Sequence, residues 1–330
     1  MEIIKENIGN VLKVLSNLGK VLAPAIVDGV KKFIPWEAGT EIDLDLVNTT
    51  LPPKDILFPQ TEKMYSFTTG PEARIREVGE ADEQILFGVR PCDVQSIDCL
   101  DQVFLTKTYT DSFYADKRDK LIIIAIACAK AAPTCFCGSM GLKPDQAPLA
   151  DILLIPTASG WKINCQSEKG KQVLAALDSL VEETDGSLLP PAQLQLTVDM
   201  TGVAEKLSGM FEHPIWDELS RPCLGCGTCT FVCPTCYCFE MAPEMRGREG
   251  TEMRYWDSCM FPEYTRMAGG HNPRPGNKER LRNRYLHKLS FFTERYGKGL
   301  CVGCGRCLEK CPAGLDIAKV IEMTGEVESV

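Results

Sequence analysis

Apolar residues recur at intervals of three and four at the start of the chain. Ile4, Ile8, Val11, Leu12, Leu15 and Leu18 form one stripe, which predicts a helix that Gly19 weakens and Pro24 ends. Such a stripe is ordinarily docked on a core. From Lys32 to Pro59 short pieces alternate with prolines: Glu41–Val47 has period two, Leu51–Asp55 is a turn and Ile56–Pro59 is a short apolar run. This region reads as irregular or strand-rich, with Phe33, Trp36 and Phe58 as core residues.

Between Ile85 and Ala129 the pattern becomes that of an α/β unit. Ile85–Val89 and Leu121–Ala127 are continuous apolar runs, as expected of strands in a sheet covered on both faces. Asp93, Val94, Ile97, Leu100, Val103 and Phe104 lie between them at helical spacing. Ile152–Thr157 predicts a further strand, and Lys169–Glu183 a helix that stops before Asp185-Gly186. Gln193–Leu196 suggests a short strand, and Val203–Phe211 and Pro214–Leu219 suggest helices leading into Cys223. The expected fold class is α+β: an N-terminal α/β body over residues 1–218, then a ferredoxin-like two-cluster module over 219–330 that carries a long insertion, 239–298.

The 330 residues suffice for about two domains, and 44% apolar with 25% charged residues is globular. The longest unbroken apolar stretch, Leu121–Ala129, is half of what crosses a bilayer, and no cleavable leader pattern opens the chain, so a cytoplasmic location without a membrane span is expected. A net charge of -9 argues against a nucleic-acid partner. Seventeen cysteines in a chain of this size point to a reducing compartment and to metal rather than to disulfides.

Most of these cysteines sit at a telling spacing. Cys223–Pro234 and Cys301–Pro312 both read C-x2-C-x2-C-x3-C-P, the run by which two-cluster ferredoxins hold [4Fe-4S] cubanes, the fourth cysteine of each run reaching the other cluster. The expected ligand sets are Cys223, Cys226, Cys229 and Cys311 for one cluster, and Cys301, Cys304, Cys307 and Cys233 for the other. Zinc also accepts four thiolates, but the third evenly spaced cysteine and the C-P ending favour iron and sulfide. Cys236 and Cys238 stand as alternatives to Cys233, and Pro234 decides for Cys233 because it repeats Pro312. Cys259 is either core or a partner of these two around zinc or another cluster.

Cys92 and Cys128 each lie just past a predicted strand, and the loop after the second supplies Cys135 and Cys137. Ligands at the carboxyl ends of neighbouring strands converge. A third [4Fe-4S] cluster on Cys92, Cys128, Cys135 and Cys137 is the sharp expectation, against the plainer one that buried cysteine is a small hydrophobe, as suits Cys99 and Cys165. A nucleophilic Cys92 or Cys128 finds no histidine nearby in sequence. Neither a phosphate-binding loop nor G-x-G-x-x-G is present, so nucleotide binding has no local warrant.

The insertion is basic in an acidic chain. On its predicted helix, Lys278–Tyr296, one face carries Arg280, Arg284, His287 and Lys288 and another carries Leu281, Tyr285, Leu289 and Phe292. Its basic face either steadies negative clusters, meets an acidic redox partner or is simply solvated. His287 is a candidate hydrogen-bond donor to a cluster sulfur.

The chain resembles the family of iron-sulfur electron-transfer proteins that groups the A-type component of anaerobic sulfite reductase with the beta subunit of sulfhydrogenases. The likeness rests on Gly88–Phe104, Thr134–Gly141, Arg221–Phe239, Ser258-Cys259 with Ala268–Pro275, Arg280–Lys288 and the terminal cysteine run. It implies a relay of single electrons between a flavin subunit that uses a nicotinamide and a catalytic subunit such as a hydrogenase, sulfite reductase or heterodisulfide reductase. It also supports the third ligand set, with Leu142-Lys143-Pro144 as a departure that affects the path of that loop. An alternative remains: an enzyme that reduces a small molecule at its own N-terminal cluster. A zinc-bound scaffold is the weakest reading.

Overall fold

The computed structural model describes residues 1–330 except 78, 107, 185 and 328–330. Its strands are β1 (Glu2–Ile4), β2 (Lys20–Val27), β3 (Val30–Pro35), β4 (Thr61–Thr68), β5 (Arg74–Glu77), β6 (Gln84–Val89), β7 (Leu121–Ile126), β8 (Ile152–Pro156), β9 (Gly160–Cys165), β10 (Phe239–Arg246) and β11 (Glu249–Trp256).

The apolar runs become the centre of a seven-stranded sheet of order β1-β9-β8-β7-β6-β2-β3. Strands β2, β6, β7 and β8 are parallel to their neighbours in that stretch, whereas β1, β9 and β3 join antiparallel. Both faces are covered, which is why the runs are continuous rather than alternating. Ile85, Phe87, Ile124, Ile126 and Leu154 pack with Val11, Leu12 and Leu15 of the helix Ile8–Leu15. Leu86, Ile123, Ala125 and Leu153 pack on the other side with Val94, Ile97 and Leu100 of the helix Pro91–Phe104. Each such side chain contributes about 1.5–3 kcal/mol by leaving water.

A register shift interrupts β6 between Phe87 and Val89. The residue between them, Gly88, has φ +80°, and a Cβ there would stand 3.1 Å from Leu44 and Pro24. Bulges re-aim the chain that follows them. Here the chain turns into the helix Pro91–Phe104, whose first turn carries Cys92.

A second sheet, β10-β11-β4-β5, crosses the division expected at residue 218. The hairpin β10–β11 of the insertion pairs through β11 with β4 of the N-terminal half. Arg254 on β11 is 2% exposed and pairs with Glu62 of β4 and, at 2.6 Å, with Asp111. The indole of Trp256 donates to the Phe58 carbonyl at 2.8 Å, so Phe58 is core as expected. Phe33 and Trp36 are only partly buried.

Several local expectations differ. The first helix is shorter because Glu2–Ile4 forms an edge strand on β9, leaving Ile8–Leu15 as the helix. Glu41–Val47 forms no strand, its alternation being held instead by Arg90, which donates to the Leu44 and Leu46 carbonyls. Gln193–Leu196 is likewise no strand, and the neighbouring Ala192 N–H donates to the Cys128 carbonyl at 2.8 Å. The helix predicted over Lys169–Glu183 spans Glu168–Ala176, and Asp185 lies outside the described residues. The insertion helix forms as Asn277–Leu286, a π-helical turn His287–Phe291 and Phe292–Tyr296. Its basic face is not simply solvated: Arg280, Arg284 and Lys288 are buried as well as Leu281 and Leu289.

Candidate iron-sulfur centres

Cys223, Cys226 and Cys229 line one cavity, and Cys311 of the other run lines it with them. Gly227 and Gly305 take positive φ just before the short helices Thr228–Phe231 and Arg306–Lys310, turning each run inward. The Gly225 N–H donates to Cys223 Sγ at 3.4 Å, and the Leu315 N–H to Cys311 Sγ at 3.3 Å. Cys226 is exposed, so this cavity is nearest solvent.

Cys301, Cys304 and Cys307 stand together on the second run, and the charge of Cys233 bears on all three. Cys236 lies beside Cys233, and that neighbour holds the Cys233 pKa well below the usual thiol value. Cys238 and Cys259 form a separate buried contact in which Cys259 holds the Cys238 thiol down to about 6. Burial pushes Cys304 up to about 12.

Three buried cations surround these thiols. Lys54, Arg284 and Lys288 are 3%, 3% and 2% exposed. Lys54 Nζ donates to the Cys236 and Thr230 carbonyls at 2.8 and 3.3 Å and sits 4.0 Å over the Trp256 ring. Lys288 Nζ donates to Thr235 Oγ1 at 2.9 Å. Arg284 Nη2 donates to the Cys229 carbonyl at 3.0 Å, while Nη1 has no partner. The titratable groups bearing most on the three cations are cysteines, with no carboxylate among them. A buried charge costs several kcal/mol unless an opposite charge meets it. Thiolates bound to an anionic iron-sulfur cluster fit that requirement, and neutral thiols do not.

The N-terminal cysteines also converge. Cys92, Cys128, Cys135 and Cys137 line one cavity together with Asn48, Gly303 and Cys304. Asn48 Nδ2 donates to the Cys304 carbonyl at 2.7 Å and reaches Cys135 Sγ at 3.7 Å. The loop whose path Leu142-Lys143-Pro144 left open is fixed by the Cys128 N–H, which donates to the Pro144 carbonyl at 2.8 Å. Burial pushes Cys128 up to about 12 and Cys92 well above the usual thiol range, so neither is a thiolate nucleophile without a metal.

This cavity abuts the second ferredoxin run. Gly303 has φ +61°, and a Cβ on it would stand 2.6 Å from the Cys137 backbone. The Phe136 N–H donates to the Gly303 carbonyl at 2.8 Å. Among the described residues no three His, Cys, Asp or Glu side chains gather as the ligand set of a single metal ion. At two of the sites the thiols instead line hollows.

The remaining candidates lie elsewhere. His287 Nε2 meets the Tyr237 hydroxyl at 3.0 Å, and burial lowers its pKa to about 4. Its partner is thus the Tyr237 hydroxyl, a polar contact of the plainer kind. Cys99 is packed in the helix core and Cys165 ends β9, both outside the cavities. Asn48 and Lys54 carry no signal in the sequence: they sit in the irregular or strand-rich segment and its proline turn, and only the fold brings them to the thiols.

No helix among the described residues is long and apolar enough to cross a membrane. The family model described as 4Fe-4S dicluster domain matches residues 222–315. No solved structure matches. The sulfhydrogenase 2 subunit beta of Pyrococcus furiosus is 32% identical over 322 residues, covering 94% of each chain. With that identity running through the N-terminal half as well as the cysteine runs, the chain belongs to the family of the sulfhydrogenase 2 beta subunit.

Proposed function

We propose that this chain is the electron-relay subunit of a cytoplasmic anaerobic oxidoreductase complex, docking a flavin subunit that uses a nicotinamide and a catalytic subunit of hydrogenase, sulfite reductase or heterodisulfide reductase type. The observation that carries the reading is the contiguity of three groups of cysteines. Cys307 of the second run lines the cavity of the first, and Cys304 lines the cavity of the N-terminal cysteines. Bound [4Fe-4S] clusters would supply one-electron transfer. In this reading Cys223, Cys226, Cys229 and Cys311 hold one, Cys301, Cys304, Cys307 and Cys233 a second, and Cys92, Cys128, Cys135 and Cys137 a third.

The chain's own residues hold thiols in place, offset charge and keep water out. Lys54, Arg284 and Lys288 supply positive charge where water is absent. Asn48, Pro144, Ala192 and Leu194 close around the N-terminal thiols, which favours relay over reduction of a small molecule there. Four cysteines per cluster also leave no iron open to substrate. The name of the Pyrococcus furiosus relative, a sulfhydrogenase subunit, supports a hydrogenase-type partner.

Iron and acid-labile sulfide in anaerobically prepared protein test the reading: about twelve of each per chain are expected for three cubanes. Cys135→Ala or Cys137→Ala should lower both to about eight. A count near eight that neither substitution changes removes the third centre.

A further inference from the structure

We propose that Arg284 sets the potential of the centre at Cys223, Cys226, Cys229 and Cys311, through a hydrogen bond from its unpartnered Nη1 to the anionic group those cysteines hold. The inference rests on the reading that this cavity binds a cluster.

Arg284 lines that cavity, as does Cys307 of the second run, so its guanidinium stands at the boundary between the two sites. Its Nη2 is used on the Cys229 carbonyl, at 3.0 Å, which fixes the plane of the fork. Nη1 is buried and has no acceptor. An orphaned donor on a buried cation is costly, so such a group implies an acceptor that the protein itself does not provide.

The other arginines on the helix Asn277–Leu286 are built differently. Arg280 uses both terminal nitrogens, on the Arg274 and Pro275 carbonyls and on Asn277 Oδ1, at 3.1, 2.9 and 2.7 Å. Arg282 points the other way, with its guanidinium 3.7 Å over the Phe211 ring and Nη1 2.9 Å from the Phe211 carbonyl. Both leave Nε unpartnered, but among the described residues Arg284 alone has a buried terminal guanidinium nitrogen without an acceptor. Lys288, one turn on, is engaged with Thr235 beside Cys233. The fork therefore serves the first centre and the ammonium the second.

Reduction adds one negative charge to a cluster, and a fixed N–H donor with positive charge stabilises the reduced form more than the oxidised one. Arg284 thus raises the electron affinity of the first centre, beside which it is bonded at Cys229, and its charge also reaches Cys307 and Cys233 of the second. Lysine keeps the charge but lacks the planar fork, so it is not an equivalent replacement.

EPR-monitored redox titration of the anaerobically purified full-length protein, wild type and variants, tests this, with iron and sulfide counted in the same samples. Arg284→Gln should lower the electron affinity of the first centre about tenfold, a negative shift of about 59 mV for a one-electron couple. Arg284→Lys should shift it in the same direction by less, and Arg282→Gln should leave it in place. An unmoved midpoint in Arg284→Gln with both ferredoxin centres intact overturns the proposal, as does an equal shift in Arg282→Gln. Should Arg284→Gln lose its iron, Arg284→Lys decides, and a wild-type midpoint there refutes the hydrogen bond. Wild-type protein without any signal from the first centre would instead defeat the reading on which the inference rests.

Discussion

Arg306 and Asp93 form a bidentate ion pair at 2.6 and 2.9 Å with both side chains 1% exposed. Asp93 follows Cys92 on its helix, and Arg306 lies between Cys304 and Cys307. Arg306 Nε also donates to the Thr49 carbonyl at 2.6 Å, next to Asn48. One guanidinium therefore ties the second ferredoxin run to two of the segments that enclose the N-terminal cavity.

Removing one partner strands the other as a buried charge. Arg306→Ala should destabilise the protein by about 3–5 kcal/mol, and Arg306→Ala with Asp93→Ala by less than the sum of the two single changes. Thermal unfolding under anaerobic conditions reads this. Additive losses would show that the pair does not act as a unit.

Gly303→Ala places a methyl group against the Cys137 backbone in a conformation that L-residues rarely adopt. The loop Cys135–Cys137 must move. The expected result is loss of one cubane's worth, about four iron atoms per chain, with the ferredoxin EPR signals retained. Retention of all the iron would mean that the contact is easily relaxed.

Cys311→Ser should change the EPR signal of the centre at Cys223, Cys226 and Cys229, and Cys233→Ser that of the centre at Cys301, Cys304 and Cys307. The expectation follows from the placement of Cys311 in the first cavity and of Cys233 beside the second run. Each change confined to the opposite centre would reverse the assignment.

Iron removal should loosen the insertion helix. Without anionic clusters Arg284, Lys288 and Lys54 are buried cations beside thiols of which burial pushes Cys301 and Cys307 up and only Cys233 and Cys238 are held down. Amide exchange in residues 277–296 should rise on chelation, more than exchange in β6 and β7. Equal protection before and after would show that the cations are satisfied by the carbonyls alone.

The parts of this organisation that were legible beforehand have strong local signatures. The evenly spaced cysteines mark the dicluster domain, and the Ile and Leu runs at Ile85 and Leu121 mark strands buried on both faces. The hairpin β2–β3 was hidden by prolines and lysines: Lys31, Lys32 and Pro35 lie on the edge strand β3, and Pro24 of β2 lies beyond the stretch Lys20–Leu22 that pairs with β6. Strands β10 and β11 carry glutamates, arginines and methionines rather than β-branched residues, so nothing local distinguished them. The basic face of the insertion helix left the burial of Arg284 and Lys288 open rather than fixed, because basic residues at helical spacing normally face solvent and only the fold turns these inward toward the thiols.

The pairing of β4 with β11 joins residues 61–68 to residues 249–255. A chain leaving the ribosome at about 5–20 residues per second offers β4 only its hairpin partner β5 until β11 has emerged, several to tens of seconds later. By the end of that interval the seven-stranded sheet has all of its strands, but the run Cys301–Cys311 that closes the N-terminal cavity does not yet exist. Closing so long a loop comes late in folding because its entropy must be overcome before any contact rewards it. Synthesis therefore leaves the N-terminal cysteines uncovered at first, and completion of the C-terminal run shuts them in, so that under the proposed three-cluster reading loading would run from the amino end to the carboxyl end.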